Sequence, residues 1–216
     1  MFTSVHSVGL FGMEAYMVQV EADLSQGMPG FDIVGLPDAA VKESRDRVRA
    51  AVRNCGLSFP VERVTVNLSP ADIRKEGALY DLPVLVAVLK AAGQLDAGVE
   101  DAAFIGELSL NGGLQPAKGV LAMALAARQK GIRRLFVPAA NACEGAVAEG
   151  LEVYALESAG QLIAHFRGSE RLQPVKPLPA DMSSAAPVLD LADVSARLIV
   201  NAASLKLRKR EIEALA

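Results

Sequence analysis

The segment from Ile105 to Asn141 constrains the fold more than any other part of this chain. It begins as an apolar strand and reaches a tight turn at Asn111-Gly112-Gly113. It then continues as a helix from about Lys118 and ends in a strand at Val137-Pro138. A strand, a helix and a second strand in succession are typical of α/β proteins. The segment therefore predicts an α/β fold with a mixed sheet.

The remaining sequence continues the alternation of strands and helices. Alternating or apolar runs predict strands at residues 4–8, 16–23, 31–34, 61–68 and 151–154. Apolar periodicity with polar caps predicts helices at residues 38–56, 81–92, 141–149 and 158–167. Asp38 and Asp81 are each expected to cap a helix through a side-chain oxygen.

The segment Ile105–Asn141 resembles the last third of the proteolytic domain of Lon proteases. In that family a lysine of this segment is the general base of a Ser-Lys dyad. When Pro116 and Gly119 are aligned with the family pattern, Met123 falls at the lysine position. A thioether has no amine that could accept a proton, so the resemblance implies that the base is missing.

The nucleophile of the dyad is also replaced. The stretch Lys75–Asp81 resembles the Lon loop "DGPSAG", with Gly77 at the glycine and Leu79 at the serine. An alkyl side chain cannot act as a nucleophile. The resemblance therefore implies a Lon-like domain that does not cleave peptides.

Three longer stretches resemble the N-terminal domain of the YifB/ComM family of Mg-chelatase-like AAA+ ATPases. They are Phe31–Gly56, Val66–Leu89 and Ile105–Leu121. The resemblance covers residues 1–168 and implies the fold of the Lon protease domain and of ribosomal protein S5 domain 2. It also implies a role in DNA processing during natural transformation, in which family members act in branch migration. The expected partners are an AAA+ module or like subunits in a hexameric ring.

The last part of the chain differs from this family. Residues 169–188 have the composition of a linker, and residues 189–194 resemble the start of the AAA+ module. Residues 189–216 contain no GxxxxGK[ST] phosphate loop. The chain is therefore expected to be a truncated, frameshifted or degenerate family member. No cofactor is expected here, because ATP and Mg²⁺ would belong to the AAA+ module.

Two groups of basic residues are candidates for binding DNA or a partner protein. Arg74 and Lys75 lie in the loop where a Lon protease has its active site, and Lys42, Arg45 and Arg49 recur along one helix. Acidic residues interleave with the helical group, so an ordinary solvated surface is the alternative. Because the net charge is −3, DNA binding would be weak and without sequence preference.

Single residues leave other functions open. A peptidase with a relocated dyad would use Ser69 with Lys75 or Lys118, and an inactive product is the third possibility. The two histidines are far apart in sequence and lack an acidic or cysteine cluster, so no metal site is predicted. No apolar run approaches ~20 residues and no secretory signal is evident, so a cytoplasmic protein that does not contact membranes is expected.

Overall fold

A computed structural model describes residues 1–12, 14–95 and 98–176 of the 216-residue chain. Within these residues, seven strands form one mixed sheet and five α-helices pack on it. The prediction of an α/β fold with a mixed sheet is confirmed. The predictions made for residues 177–188 and for the tail at residues 189–216 lie outside the described residues.

The strands of the large sheet are β1 (Phe2–Phe11), β2 (Glu14–Ser25), β3 (Gly30–Val34), β4 (Arg63–Ser69), β5 (Ala102–Phe104), β8 (Arg134–Pro138) and β9 (Glu152–Leu156). A separate hairpin consists of β6 (Glu107–Leu108) and β7 (Leu114–Gln115). The helices are α1 (Ala39–Asn54), α2 (Asp81–Ala91), α3 (Val120–Gln129), α4 (Ala142–Gly145) and α5 (Ala159–Phe166). Short 3₁₀ turns at Ala78–Tyr80 and Ala139–Asn141 precede α2 and α4.

The sheet has two halves with different strand directions. Its order is β3-β4-β2-β1-β5-β8-β9. β2 pairs antiparallel with both β1 and β4, whereas β5, β8 and β9 are parallel to one another and to β1. The halves meet where His6 of β1 lies opposite Ala103 of β5. The buried hydroxyl of Ser7 donates a hydrogen bond of 2.9 Å to Phe104 O across this seam.

Each face of the sheet has its own apolar core. The first core joins α1, α2 and α5 to the sheet, and every residue of α2 except Lys90 is buried. The second core lies under α3 and α4, with Met123 and Val153 among its members. A helix that is apolar on nearly all sides must be surrounded by protein, which explains the central position of α2.

On the α3 side, the outer part of the sheet is polar and only partly buried. Gln19 Nε2 donates to Ser4 Oγ at 2.9 Å, and Asn67 Nδ2 donates to Glu21 Oε2 at 2.8 Å. The alternation of β4 places valine and leucine in the first core and polar residues on this open face. Such alternation is typical of antiparallel strands with one solvated face.

The helix ends agree in part with those predicted from the sequence. Asp38 accepts a hydrogen bond of 2.7 Å from Val41 N and begins α1, and Gly56 follows its end with a φ of +74°. Both predictions are confirmed. The helix predicted at residues 141–149 is shorter, because Gly145 ends α4 and Ala148 N bonds Gly145 O in a tight turn before β9.

The packed unit continues to Lys176, beyond the end of α5. Residues 169–176, here called the C-terminal strap, run back along the domain. Leu172 packs against the first core and Val175 against the second. Among the helices that the structure describes, none has both the length and the apolarity that a membrane crossing requires.

Candidate functional site

A turn at residues 35–38 and a loop at residues 69–77 meet at the start of α1. Gly35 has a φ of +94°, and a Cβ atom there would lie 2.2 Å from Leu68 O, so only glycine fits. Lys75 N donates to Leu36 O at 3.1 Å, and Asp38 N donates to Lys75 O at 3.0 Å. The turn and the loop are therefore hydrogen-bonded to each other through their backbones.

The carboxylate of Asp38 holds the turn and the loop together by accepting two hydrogen bonds. One oxygen caps α1, and the other accepts a hydrogen bond of 3.0 Å from Gly77 N in the loop. The cap predicted from the sequence thus has a second function, because it also ties the loop to the helix. A carboxylate that accepts hydrogen bonds from backbone N–H groups at the start of a helix stabilises that helix, because the bonds are charge-assisted and the helix dipole is positive there.

Lys75 is completely buried inside the loop. Its ammonium donates to the carbonyl oxygens of Pro70 and Ile73, the latter at 2.8 Å. Burial lowers the pKa of Lys75, and the nearby Asp72 carboxylate partly offsets that effect. The expectation that Lys75 presents its charge on the rim is wrong, because the loop folds around the side chain and supplies carbonyl acceptors.

Leu36, by contrast, is exposed. It is 53% exposed and has a φ of +57°, a backbone conformation that is costly for a residue with a branched side chain. Val34 beside it is also exposed. Arg74 extends into solvent near Glu76, with 3.8 Å between Nε and Oε1. Val34, Leu36, Arg74 and Glu76 are here called the rim surface.

Two tyrosines support the rim from below. The hydroxyl of Tyr16 lies 3.4 Å from that of Tyr80 and donates to Arg74 O at 3.5 Å. Burial raises the pKa of Tyr80, so its hydroxyl stays protonated. Gly9 makes room for this pair, because a Cβ atom there would lie 2.3 Å from the Tyr80 hydroxyl oxygen. Sequence reasoning did not identify these tyrosines.

The basic residues of α1 are not equivalent. Lys42 and Arg45 are exposed, and Arg45 Nε donates to Lys42 O at 3.0 Å. The guanidinium of Arg49 lies over two aromatic rings, 5.7 Å from the centre of Phe31 and 5.2 Å from that of Phe59. Arg49 therefore makes cation–π contacts within the domain. A role for these residues in binding remains a prediction.

The two positions that the sequence analysis aligned with the Lon dyad, Leu79 and Met123, contain apolar side chains in apolar surroundings. Leu79 lies in the 3₁₀ turn before α2 and packs against both cores. Met123 is fully buried in the second core. Neither side chain offers a proton acceptor or a nucleophile.

Asp81 forms a buried junction between α1, α2 and the β6–β7 hairpin. Its carboxylate accepts hydrogen bonds from Ser44 Oγ, from Arg47 Nε at 2.6 Å and from Leu108 N at 3.0 Å. The prediction that Asp81 caps α2 is wrong, because its oxygens face α1 and the hairpin instead. The N-cap position is Tyr80, which makes no side-chain cap bond. Ser44 and Arg47, spaced i and i+3 on α1, were the missed sequence signal.

The alternative dyads are not assembled. Ser69 lies at the end of β4, beside a groove of about 310 Å³ that also contains His6 and Lys130. Lys118 is exposed near the start of α3, and the Lys75 ammonium is held by loop carbonyls. Among the hydrogen bonds within residues 1–176, none joins the Ser69 hydroxyl to a lysine.

The glycine-rich turn and the start of α3 do not form a phosphate site. Gly112 N donates to Ser109 O at 2.9 Å, and Gly113 N donates to Asn111 Oδ1 at 3.0 Å. At the start of α3, Leu121 N already bonds the Glu144 carboxylate at 3.0 Å. In the described part of the chain, no group of three His, Cys, Asp or Glu side chains could hold a metal ion.

Comparison with known proteins identifies a family. The profile of the family "Subunit ChlI of Mg-chelatase" matches residues 20–141. An uncharacterized protein of Mycobacterium tuberculosis is 45% identical over 167 residues, which is 77% of this chain and 33% of the relative. Competence protein ComM of Haemophilus influenzae is 38% identical over 198 residues, which is 88% of this chain and 38% of ComM.

A more distant similarity connects the chain to a peptidase. The Lon protease of Mycolicibacterium smegmatis is 26% identical over 137 residues, which is 60% of this chain and 17% of that protein. This chain spans about a third of the length of the nearer relatives. The resemblances to YifB/ComM proteins and to Lon proteases found in the sequence are therefore confirmed.

Proposed function

The chain belongs to the family of subunit ChlI of Mg-chelatase, and we propose that it is a non-proteolytic Lon-like domain that binds another part of its assembly through the rim surface. The fold in this proposal is that of the Lon protease domain and of ribosomal protein S5 domain 2. The distant similarity to Lon proteases and the mixed sheet support it.

The absence of peptidase activity is supported by the two dyad positions. Leu79 and Met123 contribute to the cores, so restoring a serine and a lysine would also disturb packing. A peptidase of this type requires a hydroxyl within hydrogen-bond reach of a base. Neither Ser69 nor any other described serine makes such a contact with a lysine.

The observation that carries the binding role is the conformation of Leu36. An exposed leucine at positive φ costs backbone free energy, and Leu36 leaves 53% of its surface in solvent. Residues held in such conformations cluster at functional sites. Leu36 lies beside the exposed Val34, and its carbonyl oxygen accepts one hydrogen bond from Lys75 N. A protein partner that buries this apolar pair would recover the cost.

The wider role is proposed from the relatives. ComM of Haemophilus influenzae is named a competence protein. We propose that this domain is part of a Mg-chelatase-like AAA+ protein that acts in DNA processing. Like subunits of that protein would form a hexameric ring. ATP and Mg²⁺ would act in the AAA+ module, since the glycine turn of this domain uses its own amides internally.

Calorimetric titration of the 216-residue chain with the remaining part of ComM, supplied as a separate protein, tests the rim. Wild type should bind, and Leu36→Asp combined with Arg74→Glu should lower the affinity at least about tenfold. Leu125→Asp, on the exposed side of α3, is the matched control and should bind as wild type does. Equal affinity in all three proteins would refute the rim proposal.

Peptidase activity is tested with unfolded casein and a fluorophosphonate probe. We expect no cleavage and no labelling. Labelling that disappears in Ser69→Ala would show a relocated nucleophile and contradict the proposal.

DNA binding is a second candidate function, which the exposure of Lys42, Arg45 and Arg74 favours. Such binding would neutralise phosphates, so it should weaken steeply with added salt. We expect a Kd no better than ~10⁻⁵ M at physiological salt. Display of several copies on a ring would raise the effective affinity.

Fluorescence anisotropy with single-stranded and forked DNA tests this candidate. Lys42→Ala with Arg45→Ala should weaken binding, as should Arg74→Ala. Lys75→Ala is informative only if the loop remains folded, because its ammonium is buried. Equal DNA affinity in wild type and Arg74→Ala would leave Arg74 to protein contacts alone.

A further inference from the structure

The C-terminal strap is attached to the domain at two points. Leu172 N donates to Nδ1 of His165 at 3.1 Å, and Val175 N donates to Val153 O of the edge strand β9 at 2.7 Å. The side chains of Leu172 and Val175 pack against different cores. The strap therefore covers the edge of β9 and leads the chain toward residue 177.

The imidazole of His165 lies among three aromatic rings. Its centroid lies 5.6 Å from that of Phe136, 5.5 Å from that of Tyr154 and 5.2 Å from that of Phe166. Because Nδ1 accepts the hydrogen bond from Leu172 N, the ring is neutral and its proton is on Nε2. A second proton on Nδ1 would remove this acceptor and set two N–H groups against each other.

We propose that His165 is a proton-operated latch for the C-terminal strap. The neutral ring holds residues 169–176 on the domain, and protonation at Nδ1 releases them from His165 and from the edge of β9. Release of the strap would uncover the edge of β9. This regulation is independent of the rim surface.

The charges around His165 favour release after protonation. Arg134 of β8 and Arg171 of the strap both lower the pKa of His165, after burial as the larger cause. Arg134 is paired with Asp101, and the hydroxyl of Tyr154 donates to Glu152 at 3.0 Å. On α5 itself, Arg167 is directed to Gln94 O. A protonated ring would therefore lie beside Arg171, which is part of the strap that it holds.

Amide hydrogen exchange of the full 216-residue chain, followed by NMR, tests the latch. Rates are corrected for the intrinsic effect of pH. Between pH 8 and pH 5.5, protection of the Leu172 and Val175 amides should fall about fivefold or more, the loss expected from one hydrogen bond. Amides of α2 report global unfolding and should keep their protection. The transition should share the midpoint of the His165 ring resonance.

Two substitutions separate the latch from simple packing. In His165→Asn the side-chain oxygen can replace Nδ1 as acceptor without titrating, so the strap should stay protected at both pH values. In His165→Leu the strap should exchange rapidly at both. His6→Gln removes the other histidine and should leave the response of the strap unchanged. Unchanged strap protection while His165 titrates, or a wild-type pH response in His165→Asn, would overturn the proposal.

Discussion

The junction around Asp81 and the loop around Lys75 each bury one charge, but they satisfy it differently. The Asp81 carboxylate is bound by α1 through Ser44 and Arg47 and by the hairpin through Leu108 N. Among the described residues, only carbonyls of its own loop bind the Lys75 ammonium. The first charge joins three elements of the fold, whereas the second shapes one loop.

This difference separates residues that stabilise the fold from residues that are exposed to a partner. Around Asp81, the hydrogen bonds face inward and no partner is needed. Around Lys75, hydrogen bonds tie the loop to the turn at residues 35–38, yet the neighbouring Leu36 and Arg74 face solvent. A rigid scaffold that presents exposed residues is typical of binding loops. Substitutions at the junction should therefore lower stability most, and those at the rim should change binding most.

The largest effect is expected for Asp81→Ala. Removal of one partner of a buried ion pair should lower the free energy of unfolding by about 3–5 kcal/mol. Urea unfolding measures it. Glu43→Ala removes the exposed partner of Arg47, 3.5 Å away, and should cost less than about 0.5 kcal/mol. In a double-mutant cycle, Arg47→Ala should cost less once Asp81 is absent. A small loss in Asp81→Ala would remove the distinction between junction and rim.

A smaller loss of stability is expected for Lys75→Met. The substitution leaves Pro70 O and Ile73 O without their donor, which should cost about 1.5–3 kcal/mol. The loss should appear in urea unfolding and as faster amide exchange within residues 69–77. Arg74→Met changes the exposed neighbour and should stay within about 0.5 kcal/mol of wild type. Faster exchange throughout the domain would show that Lys75 also joins distant elements.

An increase in stability, rather than a loss, is expected for Leu36→Gly. Glycine adopts positive φ without strain but loses more backbone entropy, so we expect a gain of about 0.5–1 kcal/mol. The Leu36→Gly variant should bind the remaining part of ComM more weakly than wild type does. Gly35→Ala is the contrasting variant and should destabilise, because its Cβ would meet Leu68 O. A loss of stability in Leu36→Gly would assign a packing role to this leucine.

The smallest effect is a pH dependence that involves neither region. Burial lowers the pKa of His6 and of His165 below the ordinary 6.5. A lowered pKa means that the unfolded chain binds protons first, so stability is fully present above pH 6.5 and decreases as pH falls through the lowered values. Thermal unfolding between pH 8 and 5.5 should show the decrease. The variant His6→Gln/His165→Asn should show less of it.

The sequence predicted the elements with regular patterns. The alternation of β2 and the cap and apolar face of α1 depend on neighbours in sequence, and these predictions are confirmed. The strand predicted at residues 4–8 extends over Phe2–Phe11, because its ends pair with β2 rather than with a core. Pairing of this kind is not visible in one strand alone.

Buried charges were the main failure of the sequence analysis. Lys75 and Asp81 have residue types that are almost never fully buried unless paired, so exposure or capping was the natural expectation. Their partners are loop carbonyls, Arg47 and Leu108 N, and only the tertiary fold brings these together. The C-terminal strap was missed for the same reason. Its composition is that of a linker, and its binding sites lie on α5 and β9.

The seam between β1 and β5 has a consequence for biosynthesis. The ribosome makes β1 to β4 within the first 69 residues. The antiparallel pairings of β2 with β1 and β4, and the parallel pairing of β3 with β4, can then form at once. One edge of β1 then waits for β5 at residues 102–104. At about 5–20 residues per second, this edge is unpaired for a few seconds. An unpaired strand edge can recruit another chain. During this interval, nascent chains on crowded polysomes can therefore associate wrongly through β1. β5 then covers β1 and leaves its own outer edge open until β8 is made.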